Sequence, residues 1–513
     1  MLTSLPNVNR RAALIFGLTA AFAICAGLIS ACHEVWRDEA VPLSMVMESG
    51  SLAELTLKMR NFGHPVFWHG LLYLSYQLFP HPIVLKALNV LMASAAVAVF
   101  LRHAPFRWHQ KILFIFSYYP LYQYGAINRS YALVMLLLFA IAAVYPKRFE
   151  RFLLLSVLLA ALINTHALGA IIALAVFVSW FIEFMHPRAR RPVVGNFKLI
   201  AGAALLAASA AVFACQTAPA SKSIIFHHSQ LSFSKSLMAA AKSFIWPGKV
   251  FHFSLGFDNS LFAGAVAIGL GLIFWHRKPV FMIFALSLLG LEMFSRLIYP
   301  LTYSMYHQGF FVLLMMFCLW ISSGLPARRP QPSLPARAAA GLEKALDPLL
   351  SVLLLLQLCF GVIEIHKEIT EDFSSSKKLA ALLSQPRYSD AIVISDPDFL
   401  IESLPYYTSH RLFIVRENRF GRYVQFTKDS RETLSLEELS SAALRLRDEY
   451  RVPIVVALWH KISPAGPYTL EYGYNKTFTY SAQALQEFQG RARHLADLTK
   501  GLTDEKYNVY VLE

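Results

Sequence analysis

Residues 64–79 read HPVFWHGLLYLSYQLF, and whether this stretch crosses a membrane decides the topology of everything after it. The chain has 513 residues, of which 56% are hydrophobic, and a mean hydropathy of +0.46. That is too apolar for a soluble globule, and the apolar residues come in long blocks bounded by basic ones. Backbone inside lipid must satisfy its own hydrogen bonds, so the class is a polytopic α-helical membrane protein. Span-like segments fall at 12–32, 83–101, 111–127, 131–145, 152–164, 167–185, 197–215, 260–275, 279–298, 308–323 and 347–364. The stretch 64–79 is equally apolar but short, and histidines and a glycine interrupt it.

Basic loops decide its status, because Lys and Arg collect on the cytoplasmic side. If 64–79 does not cross, RHAPFRWHQK (102–111), PKRFER (146–151), HPRARRP (186–192), HRK (276–278) and PARRPQPSLPAR (326–337) all face the cytoplasm, together with Arg10-Arg11. If it crosses, every later cluster moves outside. The stretch is therefore read as a re-entrant or interfacial helix on the outer side. This gives roughly eleven spans with the N-terminus inside. The formal charge of +15 then belongs to orientation and not to nucleic-acid binding. Arg10-Arg11 and Ile29-Ser30-Ala31-Cys32 resemble signal and lipoprotein boxes, but the run between them is long enough to span by itself. The five cysteines lie in or at the ends of apolar segments, with neither a disulfide framework nor a zinc pattern.

The same topology puts WRDEA (36–40), NFGHP (61–65), INRSYA (127–132), INTHALG (163–169), the loop 216–258 and YSMYHQG (303–309) on one face, the outer one. Residues 1–365 form the membrane domain, with a first outer loop over 32–82. From 366 to 513 the composition turns mixed. DAIVIS (390–395), RLFIV (411–415), VPIVVAL (452–458) and NVYVLE (508–513) predict strands, and 435–449 and 482–494 predict helices. A small α/β domain on the outer, periplasmic side is expected. It contains no GxGxxG or GxxxxGK[ST] nucleotide motif.

Asp38-Glu39 opens a stretch that reads as an amphipathic interfacial helix, EAVPLSMVMESGSLAELTLKMR. Acidic residues often begin helices for electrostatic reasons alone. A carboxylate beside other convergent polar groups can also act as a general base on a hydroxyl or amine attacking a sugar carbon. Inversion there needs one base and a stabilised leaving group, whereas retention uses two carboxylates about 5 Å apart across the bond. Arg129 and Tyr131 could serve a leaving phosphate, and His64, His166 and His307 could hydrogen-bond phosphate or sugar. The spacing of these three histidines matches no metal pattern.

These motifs, in this order and topology, resemble the GT-C glycosyltransferases, multispan enzymes that take sugars from a polyprenyl phosphate. The likeness is to the branch with protein O-mannosyltransferases and lipid A aminoarabinose transferases, and covers about residues 10–325. WRDEA matches the Asp-Glu of the first outer loop, and GHPVFWHGLLYLSYQLF the helix that returns without crossing. INRSYAL resembles an Arg-x-Tyr element, INTHALG the turn between the fifth and sixth spans, and YHQGFF a late loop element. Relatives often carry a second acidic residue where this chain has Ala126, Ile127 and Asn128, and a basic residue where it has Tyr306.

The resemblance implies an inverting, metal-independent glycosyltransferase of the bacterial inner membrane, with Asp38 as base and Glu39 helping it or shaping the loop. Arg129, Tyr131, His64, His166 and His307 would hold the donor's phosphate and sugar. A polyprenyl-phosphate sugar would be the donor, and an envelope lipid, polysaccharide or protein the acceptor, with no cofactor. The alternative is a flippase or exporter of lipid-linked sugar. Transport predicts polar residues through the span centres and internal repeats, whereas here polarity gathers at one face. A third reading makes 366–513 a scaffold or carbohydrate-binding module.

Overall fold

The computed structural model describes residues 7–185, 195–218, 234, 238, 260–298, 305–325 and 334–513. The basic stretch 186–192, most of loop 216–258, positions 303–304 and 326–333 lie outside the described residues. Among the described residues, seven helices are long and apolar enough to cross a membrane: Arg10–Cys32, Val84–His103, Ala167–Met185, Asn196–Thr217, Lys278–Leu297, Met305–Ser323 and Gly341–Thr370. Three shorter apolar helices, Tyr131–Lys147, Phe152–Ile163 and Leu261–Phe274, accompany them. The chain is a multi-pass helical membrane protein with a small C-terminal α/β domain.

The expected span at 111–127 is not one helix. A helix over Trp108–Ile115 stops, and Tyr118–Gln123 forms a wide π-type turn. Pro120 sits inside that turn; it lacks an N–H and its ring clashes with the preceding turn of a regular helix. The stretch 37–59 also divides, into α1 (Arg37–Met47) and α2 (Leu52–Met59). The break falls at the Glu48-Ser-Gly-Ser run, where Ser51 accepts from the Glu54 N–H at 3.1 Å and caps α2.

The deciding stretch folds as α3, Phe67–Leu78, of 12 residues. At 1.5 Å per residue it is about 18 Å long, well short of a hydrocarbon core about 30 Å thick. Its inner face buries Trp68 and Leu72 completely. Its outer face leaves Leu74 and Leu78 exposed. The chain entering it is pinned from elsewhere in the bundle. The Phe67 N–H donates to the Asn164 carbonyl at 3.0 Å, and the Val66 N–H to the Gln216 side chain at 3.0 Å.

Polar contacts sort the bundle into two ends. Arg11 donates to the Arg102 carbonyl, Arg107 pairs with Asp347, Arg277 with Glu343, and Arg148 with Glu183. These pairs gather the described basic loops at one end. At the other end, Lys86 donates to the carbonyls of Ser30 and His33. WRDEA, INRSYA, INTHALG and the start of the helix Met305–Ser323 share that second end.

The last membrane helix is α4, Leu334–Thr370, and runs a little past the expected boundary at 365. Beyond it lies a sheet of order β3-β2-β1-β5-β9-β8, with β1 (Ile392–Asp396), β2 (Arg411–Ile414), β3 (Arg419–Phe420), β5 (Ile454–Leu458), β8 (Arg493–Leu498) and β9 (Tyr507–Leu512). β1 is central and parallel to both neighbours, Ile392 pairing with Arg411 and with Ile454. β9 returns antiparallel, Ile454 opposite Leu512. A second sheet joins β4 (Thr433–Ser435), β7 (Thr477–Thr479) and β6 (Thr469–Glu471). All four expected strands and both helices are present, the helices over Leu436–Tyr450 and Ala482–Arg491. β1 and β5 are buried along their whole length, as expected of a strand covered on both faces.

Candidate active site

Helix α1 starts at Arg37, so Asp38 and Glu39 occupy its first turn, where the helix dipole favours negative charge. One residue apart on a helix, they point in different directions. The Asp38 side chain is 34% exposed and accepts from Arg129 Nη1 at 3.0 Å. Glu39 is fully buried. One of its oxygens faces His33 Nε2 at 2.7 Å and the other accepts from the Asn128 amide at 2.8 Å. Pro42, inside α1, has no N–H to give to the Asp38 carbonyl.

Arg129 is set by the loop that precedes it. The Asn89 amide, buried in its span, donates to the carbonyls of Tyr124, Gly125 and Ile127, each at 3.1 Å. Gly125 is required there because a Cβ would lie 2.4 Å from the Leu121 carbonyl oxygen. The Arg129 guanidinium lies 4.9 Å over the Tyr306 ring and 5.4 Å over Tyr131, attraction worth about 1–2 kcal/mol per face when partly desolvated. Tyr131 stacks on Tyr306 at 5.9 Å and meets His166 at 5.3 Å and His307 at 6.1 Å. The rings of His166 and His307 lie 6.0 Å apart. The Leu168 N–H donates to His166 Nδ1 at 3.1 Å, leaving Nε2 as the protonated nitrogen and a donor. The helix Met305–Ser323 approaches closely at Gly309, where a Cβ would meet the Tyr124 hydroxyl at 2.0 Å.

His64 lies at the exposed mouth of this cluster. The structure thus brings Asp38, Arg129, Tyr131, His64, His166 and His307 together, and it places Glu39 behind them in a sealed compartment.

That compartment was not legible as a unit. His33 bridges Glu39 and Glu368, its Nδ1 lying 2.9 Å from the Glu368 carboxylate, and Tyr122 donates to the other Glu368 oxygen at 2.7 Å. Burial alone would lower the His33 imidazole, but the two carboxylates outweigh it and raise it to about 10. The available signals were Lys86 and Asn89 inside an otherwise apolar span, and Glu368 at the end of another. Arg37 pairs with Asp504 of the C-terminal domain at 2.8 Å. Among the described residues, no three or more His, Cys, Asp or Glu side chains stand at metal-holding spacing.

An open carboxylate–guanidinium pair, walled by aromatic and imidazole rings at one end of a helical bundle, defines a site suited to proton transfer beside an anionic group. No family model and no curated protein matches the chain. Among solved structures it is similar to that of ArnT from Cupriavidus metallidurans bound to undecaprenyl phosphate. The two are 12% identical, with a TM-score of 0.48, over 97% of this chain and 98% of that one.

Proposed function

We propose that the chain is an inverting GT-C type glycosyltransferase, moving a sugar from a polyprenyl phosphate to an envelope acceptor at the outer face of the inner membrane. The observation that carries the reading is the 3.0 Å contact between Asp38 and Arg129, which sets a base and a phosphate-binding cation side by side. The gathering of basic loops at the opposite end supports an outer location for this site under the positive-inside rule.

In the proposed reaction the acceptor's hydroxyl or amine gives its proton to Asp38 as its lone pair attacks the anomeric carbon. The bond from that carbon to the phosphate oxygen breaks, and polyprenyl phosphate leaves with the electron pair. Arg129 stabilises the charge on the departing phosphate, with N–H donors from His166 and the neighbouring rings orienting it. Tyr131 and Tyr306 hold the guanidinium flat. Glu39 does not touch the reactants; with both oxygens engaged it fixes the first turn of α1. The buried ionisable groups Lys86, Glu292 and Glu368 lie toward one end of their spans rather than midway, which favours chemistry at one face over a transport path.

The test compares envelope glycolipids and polysaccharides by mass spectrometry in cells with and without the gene. The proposal expects one class to lose a single sugar increment in its absence. No change in any class would contradict it.

A further inference from the structure

The helix carrying Asp38 lacks a cap of its own. Trp36 holds the N-cap position of α1 and offers no side-chain hydrogen bond to it. The missing acceptor arrives from the far end of the chain, where Glu505 Oε1 accepts the Arg37 N–H at 2.8 Å. Glu505 is fully buried, and its other oxygen accepts from the Ser374 hydroxyl. The Ser374 N–H donates to Glu34 at 3.0 Å, so the turn leaving α4 is bound to the residues just before α1.

Next to this cap the Arg37 guanidinium reaches Asp504 at 2.8 Å and Asp38 at 3.7 Å, and lies 4.9 Å over the Phe399 ring. Asp504 thus faces Asp38 across one arginine. The domain also grips both ends of α1. Tyr407 donates to the Val35 carbonyl at 2.9 Å, and Glu48 accepts the Arg422 N–H at 2.7 Å. Free N–H groups and a positive dipole end make a carboxylate an effective cap, and this carboxylate is delivered by the turn that leads into β9.

We propose that Glu505 and Asp504 are positioning residues for the transfer reaction: the C-terminal domain completes α1 and, through Arg37, fixes where the Asp38 carboxylate points. The α/β domain is then part of the active site and not an appended module. This rests on the transferase reading above.

The experiment measures amide hydrogen exchange over residues 37–47, with kcat and donor KM, on the full-length protein and its Glu505→Ala, Glu505→Gln and Asp504→Asn variants. Glu505→Ala is expected to speed exchange in the first turns of α1 about tenfold. It is expected to lower kcat about 10- to 100-fold with donor KM near the wild-type value, since small misplacements of a reacting group are costly. Glu505→Gln keeps an oxygen for the Arg37 N–H and is expected to restore both. Asp504→Asn, at a half-exposed position, keeps the fold and is expected to lower kcat about threefold. Unchanged exchange in α1, or unchanged kcat in a Glu505→Ala protein whose α1 has loosened, would overturn the proposal. A wild-type protein that transfers no sugar would break the transferase reading instead, while exchange still decides whether Glu505 caps α1.

Discussion

Asp38 and Glu39 are consecutive in sequence, and α1 sends them to opposite environments. On the open side, Asp38 meets Arg129 with a third of its surface still reachable. On the sealed side, Glu39 lies at zero exposure between His33 and Asn128, with Glu368 and Tyr122 closing the far side of the imidazole. The open pair is reachable from solvent and contributes little to stability, because solvent screens it. The sealed cluster is closed off from solvent, and losing one member would leave buried charge uncompensated. Mutations on the two sides of one helix should therefore separate activity from stability.

The largest expected effect is on the open side. Asp38→Asn should lower transfer about 10²- to 10⁴-fold, the usual worth of a positioned general base, with membrane insertion and melting temperature unchanged. Arg129→Ala should cost about 10²- to 10³-fold in kcat/KM, as loss of a preorganised donor does. Arg129→Lys should recover only part of it, because a point charge replaces a fork. Steady-state kinetics in nanodiscs measures both.

On the sealed side, His33→Ala should destabilise the protein by about 3–5 kcal/mol, by leaving the Glu39 and Glu368 carboxylates facing each other. Melting curves would show it. The pH dependence follows from the same group. The folded-state imidazole is raised to about 10 from 6.5, so its stabilisation is complete below pH 6.5 and disappears as pH rises through about 10. Wild-type protein should lose melting temperature across that window and His33→Ala should not. The smallest effect is expected at Phe62, whose ring meets Tyr423 and Phe426 edge-on at 6.0 and 5.9 Å. Phe62→Ala should cost about 1–2 kcal/mol in coupling between the domains, read as faster exchange at the domain junction.

How far the sequence could be read follows the same division. Long apolar blocks and basic loops predict the helices and their two-ended arrangement, because hydropathy and charge are local properties. The strands of the α/β domain were visible for the same reason, as short apolar runs between turn residues. The break at Pro120 and the division of α1 from α2 were not, since a proline or a Ser-Gly-Ser run ends a helix only in a context that permits it. At the site, the residues that converge on Asp38 were all at the ends of apolar segments. What no local pattern reveals is partnership across the chain: His33 with Glu368, or Arg37 with Asp504, hundreds of residues away. The buried carboxylate looks, in sequence, the same as the exposed one.

The most direct test restores the gene to cells lacking it, as wild type or as Asp38→Asn at matched membrane levels, and compares envelope glycolipids and polysaccharides by mass spectrometry. The wild-type gene should return the missing sugar increment, and Asp38→Asn should not. A full return of that increment with Asp38→Asn would contradict the assignment of Asp38 as the base.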